Sequence, residues 1–299
     1  MNVFLQSLRA PFVSVTLSGV LLGTATAFFV SGTADITSFL VVVFVTINGH
    51  ISANLFNDYF DHRSGNDVIN KNITPLSGGS RAIQDGGQSV SMVLLSACLF
   101  LALSVFAGCW FVYAKQNINL AYFGLAGLVL GYAYTAPPFK LVYRGLGELT
   151  IIITFGLFIV GGAYLAQTGN ITSSAIAASL PAGLLTAVIL IVNGFPDRIA
   201  DEASNKRTFV VRFGKEITIL LIKRFVLLSY LVIVGGIMFN VLPLGALVSL
   251  FSLPTAVRFF KKVDRIEEDF LPAGIAAIVL QISFVLSTAL GIAISAFLA

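Results

Sequence analysis

The stretch Asn54-Leu-Phe-Asn57-Asp58-Tyr-Phe-Asp61-His-Arg63-Ser-Gly-Asn66-Asp67 sets carboxamides and carboxylates at the end of a long apolar run. It has an echo in Asn193-Gly-Phe-Pro196-Asp197-Arg198-Ile-Ala-Asp201-Glu202, which closes another apolar run. On a helix, at about 100° per residue, Asn54, Asn57, Asp58 and Asp61 fall on one face. Asn193, Asp197 and Asp201 follow at i, i+4 and i+8 and share another. Two acidic faces at helix ends need one explanation.

Composition supplies the setting. Of the 299 residues, 57% are hydrophobic and 11% charged, whereas soluble domains carry about 25% charged residues. Apolar stretches long enough to span a bilayer recur along the whole length. The chain therefore reads as an all-α, polytopic membrane protein, a single transmembrane domain over 1–299 with no soluble domain of useful size left over. Spans are expected near 12–30, 36–61, 89–112, 117–135, 146–167, 172–196, 216–238, 241–260 and 271–298. Cys98 and Cys109 share one apolar segment without metal or redox spacing and read as packing residues.

Basic residues orient these spans. With the N-terminus cytoplasmic and the C-terminus outside, every Lys and Arg except Lys115 falls on the cytoplasmic side, the distribution that membrane insertion favours. A missed or invented helix would scramble that pattern. Both acidic clusters then face the cytoplasm. The net charge of +4 is mostly this signature, and no basic run is interleaved with aromatic residues as a nucleic-acid surface needs.

A carboxylate at membrane depth costs roughly 2.5–3.5 kcal/mol on insertion scales, so ionisable groups there usually serve a function. Solvated helix-end carboxylates beside Arg63 and Arg198 are the plain alternative. They leave unexplained why Asn precedes Asp by one turn in both clusters. Clustered carboxylates repel unless a cation holds them, and an oxygen-only set of Asp and Asn suits Mg²⁺. The order of an EF-hand calcium loop is absent. Because Mg²⁺ usually bridges one or two carboxylates to substrate phosphates, two acidic faces flanked by basic residues point to a diphosphate held between metals.

Asn57-Asp58-x-x-Asp61-x-x-x-Gly65-x-Asp67, together with Asp197-x-x-x-Asp201, resembles the paired motifs of the UbiA superfamily of intramembrane prenyltransferases. Three features are most similar to the 1,4-dihydroxy-2-naphthoate prenyltransferases of menaquinone synthesis: Gly65-x-Asp67, Tyr143-Arg144-Gly145-Leu146-Gly147-Glu148, and Asn205-Lys206-Arg207-Thr208 followed by Val211-Arg212-Phe213-Gly214. The resemblance implies nine helices around a central cavity that opens at the cytoplasmic side, with the motifs on the second and sixth. It implies Mg²⁺, an allylic prenyl diphosphate donor and a lipophilic aromatic acceptor. The donor ionises, the acceptor ring attacks the allylic cation, and a proton or CO₂ leaves. Membrane lipid is the surrounding partner; no nucleic acid and no obligatory protein partner are expected. Geranylgeranylglyceryl phosphate and 4-hydroxybenzoate stay open as acceptors. An ion-coupled transporter is a more distant reading, because its ionisable groups would sit nearer the midplane.

On this reading Asp58, Asp61, Asp197 and Asp201 are the candidate catalytic metal ligands, joined by Asp67. Asn54, Asn57 and Asn193 would reach metal or phosphate oxygens. Arg63, Lys140, Lys206 and Arg207 are candidates for neutralising the diphosphate, or else positive-inside anchors. Tyr134 either faces the allylic cation or belongs to the interfacial aromatic belt. Glu148 either orients or deprotonates the acceptor or partners a helix dipole. His50, one turn before Asn54, reads as a hydrogen-bonded packing residue. Pro196 is expected to kink or end its helix. Gly19-x-x-x-Gly23 and Gly127-x-x-x-Gly131 would let helices approach closely. The segments 62–88 and 198–215 are expected to close over the mouth when diphosphate binds.

Overall fold

A computed structural model describes residues 9–298 as a bundle of helices. In chain order these are α1 (Ala10–Ser31), α2 (Ile36–Ser64), α3 (Val90–Lys115), α4 (Ile118–Ala133), α5 (Gly147–Thr168), α6 (Ser173–Ala203), α7 (Phe209–Met238), α8 (Leu244–Val263) and α9 (Phe270–Leu298). Among the described residues, eight are long and apolar enough to cross a membrane. The remaining one, α4, has 16 residues. At 1.5 Å per residue it covers about 24 Å, short of a hydrocarbon core of about 30 Å. Pro137 and Pro138 follow it, and proline cannot continue a helix. The expectation of nine spans thus becomes eight full-length helices and one short one.

Local signals account for the ends. Ser89 and Asn117 accept backbone N–H groups at the starts of α3 and α4, satisfying donors that a helix start leaves free. Gly65 closes α2 with φ of 82°, a left-handed geometry that costs glycine nothing. The first acidic motif bends at that turn, two residues before Asp67, and the chain folds back across its own carboxylates.

The core lies around α6, which packs against α5, α7, α9 and α1. Gly183 of α6 faces Gly156 of α5, and a Cβ at either position would run into backbone of the other helix. Close approach is how helices associate in lipid, where no hydrophobic force drives them together. Gly23 does the same for α1, since a Cβ there would meet the Val160 carbonyl of α5. Gly127 faces Phe158, while Gly131 has open space around it, so only the first of the two spaced pairs works as a contact. Residues Ile152–Gly161 of α5 form a π-helical stretch, a winding frequent at functional sites.

Three local expectations need revision. Helix α6 runs through Pro196 to Ala203 without ending. Pro196 is buried inside the helix, and the turn beyond it carries Asp197 and Asp201. Helix α7 starts at Phe209, and its break falls at Gly214, with φ of 69° and ψ of −176°. Cys98 and Cys109 are both exposed rather than packed, and Cys109 borders the cavity described below.

Candidate active site

The two acidic helix ends meet. On α2, Asp61 is buried and takes three contacts: Asn57 Nδ2 at 2.9 Å, Tyr143 Oη at 2.8 Å and Lys206 Nζ at 2.8 Å. Asn57 precedes Asp61 by one helical turn, so the spacing of the motif produces the first of these directly. On α6, Asp201 accepts from Asn66 Nδ2 at 3.0 Å and from Thr208 Oγ1 at 3.3 Å, with Lys206 Nζ 3.9 Å away. Lys206 therefore stands between the carboxylates of both motifs. Burial alone would pull its pKa down, but Asp61 and Asp201 hold the ammonium well above its ordinary value.

The segment after Gly65 lies over these carboxylates. Asn70 Nδ2 donates to Asp197 Oδ1 at 2.7 Å and the Gly78 N–H to Asp197 Oδ2 at 3.3 Å. The Ser80 N–H reaches Asp58 Oδ1 at 3.3 Å, and Arg81 holds the Asp67 carbonyl at 2.7 Å. A Cβ on Gly79, where φ is 75°, would run into the Asp67 carboxylate. The glycines let this loop press against the acids. Burial, with repulsion from Asp61 and Asp58, pushes the Asp67 carboxyl up to about 7.

Below the mouth opens a cavity of about 1050 Å³. Its polar end includes Asn54, Asn57, Asp61, Asp67, Asn193, Asp197, Asp201, Lys206, Tyr134 and Glu148. Its far end includes Leu120, Ala121, Phe158 and Leu165. Along α2 the wall runs from Val41 to Asp61, roughly 30 Å at 1.5 Å per residue, so the cavity follows the depth of a bilayer core. Leu125 and Val129 line it and are also exposed on the bundle. His50 lines it too, with Nδ1 2.6 Å from Thr16 Oγ1 and its ring edge-on to Phe155.

Other expected site residues lie outside the cavity wall. Asp58 is buried against Arg9, at 2.6 Å. Arg63 is exposed and donates to Tyr59 Oη at 3.0 Å. Arg207 is exposed. Lys140 lies over the Tyr143 ring, 5.2 Å from its centroid. Sequence reasoning missed Arg9, which lines the cavity, and gave no role to Asn66, Asn70, Tyr143 or Thr208. Arg9 is 49 residues from its partner, a separation that periodicity cannot bridge. The Asn-rich run after Gly65 was the available signal for Asn66 and Asn70.

The donors at the mouth are carboxylate and carboxamide oxygens, which suit Mg²⁺. Asp58 Oδ2 is buried without a partner among the described residues. Among these residues, no three acidic, His or Cys side chains converge to hold a metal by themselves. The set fits Mg²⁺ where a bound phosphate supplies further oxygens, the usual arrangement for this ion.

The chain matches the UbiA prenyltransferase family over residues 16–271 and belongs to it. It is an integral membrane enzyme of the prenyltransferase class. It is 27% identical to the 2-carboxy-1,4-naphthoquinone phytyltransferase of Synechocystis sp. over 266 residues, which are 88% of this chain and 83% of that protein. It is also 27% identical to the 1,4-dihydroxy-2-naphthoate octaprenyltransferase of Bacillus subtilis over 260 residues, 87% of this chain and 81% of that one. The fold matches the apo structure of a UbiA homolog from Aeropyrum pernix K1 with a TM-score of 0.72 at 12% identity, covering 95% of this chain and 97% of that one. A UbiA homolog from Archaeoglobus fulgidus bound to GPP and Mg²⁺ matches with a TM-score of 0.64 at 15% identity, over 99% of this chain and 98% of that one.

Proposed function

We propose that this protein transfers a prenyl group from an allylic prenyl diphosphate to 1,4-dihydroxy-2-naphthoate, with Mg²⁺ and the diphosphate held at the paired acidic helix ends. The observation that carries the reading is that one cavity joins a charged mouth, with Asp61, Asp201 and Lys206, to a long apolar interior. A diphosphate with an isoprenoid tail has that same division. The 1,4-dihydroxy-2-naphthoate in the name of the Bacillus subtilis relative supports the acceptor, and the carboxylated naphthoquinone in the name of the Synechocystis relative supports a bicyclic aromatic of that class. The DMAPP, GPP and Mg²⁺ of the Archaeoglobus fulgidus structures support the donor and the metal.

When bound, Mg²⁺ would supply Lewis-acid stabilisation of the departing pyrophosphate. Asp61, Asp67, Asp197 and Asp201 are the carboxylates to hold it, with Asp58 reached once Arg9 gives way. Lys206 and Arg9 add positive charge where negative charge develops. Asn54, Asn57 and Asn193 orient oxygens. The apolar walls keep water from the allylic cation, and the Tyr134 ring offers it a π face. The chain acts as one domain, with its N-terminus and site cytoplasmic and its C-terminus outside; the bias of Lys and Arg supports this. The loop after Gly65 serves as a lid over bound diphosphate.

A transfer assay tests this function. Membranes holding the chain receive labelled geranylgeranyl diphosphate and, in separate arms, dihydroxynaphthoate, 4-hydroxybenzoate or geranylgeranylglyceryl phosphate. Lipid-soluble product with dihydroxynaphthoate alone, lost with chelator, is the expected result. Product with another acceptor alone overturns the acceptor assignment. No product and no donor binding overturns the whole reading and favours an ion-coupled carrier.

A further inference from the structure

We infer that Glu148 binds a ring hydroxyl of the acceptor and takes its proton, an assignment that rests on the aromatic-acceptor reading above. Glu148 stands in the first turn of α5, 2% exposed, on the cavity wall. Its two oxygens are not equivalent. Oε1 accepts the Phe209 backbone N–H at 2.7 Å, while Oε2 is buried without a partner among the described residues. An unsatisfied buried acceptor is costly, and a charged one more so, so Oε2 is arranged for a donor that arrives with a ligand.

The structural duty of this side chain is complete without Oε2. Oε1 alone ties the start of α7 to α5, fixing the carboxylate plane and with it the direction of Oε2. Tyr134, Thr150, Thr208, Asp201 and Lys206 line the same cavity, so Glu148 belongs to the polar end, where the apolar interior begins. A diphosphate, which carries negative charge and no proton to offer, is repelled by a carboxylate. A phenolic O–H is the matching group.

The allylic C–O bond breaks and its electron pair leaves with the diphosphate. The ring carbon next to the hydroxyl forms the new C–C bond as the O–H electrons move into the ring and the proton passes to Oε2. If the attacked carbon carries a carboxylate, CO₂ leaves and its bonding pair stays on the ring; if it carries hydrogen, that proton passes to the departed diphosphate and the C–H pair stays on the ring. In both cases Glu148 returns its proton to the ring oxygen as aromaticity is restored.

The test uses the full chain in lipid nanodiscs with saturating geranylgeranyl diphosphate. Glu148→Gln keeps an oxygen for the Phe209 N–H and replaces Oε2 with an N–H₂ group that cannot accept a proton. We expect kcat/KM for 1,4-dihydroxy-2-naphthoate to fall about 100-fold or more, the usual scale of a general base, with donor affinity and melting temperature as in the wild type. Each mono-O-methyl ether of the acceptor is assayed in parallel. One ether should be a poor substrate for the wild type and cost the variant no further activity, as expected when both changes remove one interaction. The inference is overturned if Glu148→Gln keeps wild-type kcat/KM, or if methylation costs both proteins the same factor. It is also overturned, with no variant needed, if both ethers serve the wild type as well as the parent does. Wild type that transfers only to a non-phenolic acceptor overturns the reading and the inference together.

Discussion

Lys206 and Arg207 are neighbours in sequence with opposite surroundings. Lys206 lies between Asp61 and Asp201 on the cavity wall, whereas Arg207 is exposed. Lys206→Met removes charge-assisted hydrogen bonds worth about 1.5–3 kcal/mol. That should weaken binding of a prenyl diphosphate roughly 10- to 100-fold, and Arg207→Met should change it less than about threefold, within the ±0.5 kcal/mol of surface substitutions. A radioligand titration of both variants checks this. The Arg9–Asp58 pair, at 2.6 Å with both side chains largely buried, makes a second case. Breaking a buried pair by removing one partner costs about 3–5 kcal/mol because a charge is stranded. Arg9→Met should therefore lower the melting temperature of the solubilised protein more than Arg9→Met with Asp58→Asn, and equal melting temperatures would remove the pair from the account. Residues that share a helix face, such as Asn57 and Asp61, were legible from spacing alone. Partners brought in by tertiary folding, such as Lys206 for Asp61, 145 residues away, were not.

Helices were easier to read than their junctions. Long apolar runs located the spans, because a bilayer demands backbone hydrogen bonds within each segment. The end of α6 and the start of α7 differ from the expected spans because proline and glycine mark turns only when packing allows it. Pro196 lies inside α6, and Gly214 makes the break that α7 needs. Contacts between helices were half legible. Gly23 was visible in a spaced pair, while Gly156 and Gly183 have no glycine four residues away and needed the structure. This yields a paired prediction. Gly23→Val should destabilise the bundle by about 1–3 kcal/mol through overpacking, since its Cβ meets the Val160 carbonyl. Gly131→Ala, with nothing within 4 Å, should be neutral or slightly stabilising. Thermal unfolding in one detergent compares them, and equal loss from both would contradict the packing described.

At the scale of the whole molecule, charge divides the bundle. Arg9, Lys206, Lys215 and Lys223 pair with acids around the mouth and the nearby loops, while Lys115 pairs with Asp35 at the other end. The proposed orientation is checked by replacing Cys98 and Cys109 and placing one cysteine at Asp85 or Gln116. An impermeant maleimide should label the Gln116 position in intact cells and the Asp85 position only after lysis; the reverse pattern would invert the topology. The cavity was legible only as an implication of family resemblance, because no sequence pattern measures empty space between helices. The acid faces at its mouth were legible, and they carry the central claim that two helix ends, with a shared lysine, form one diphosphate site. The most direct measurement is binding of labelled geranylgeranyl diphosphate to purified protein with and without Mg²⁺, in wild type, Asp61→Asn and Asp201→Asn. The account predicts Mg²⁺-dependent binding in the wild type that is lost in either variant. Equal, metal-independent binding in all three would contradict it.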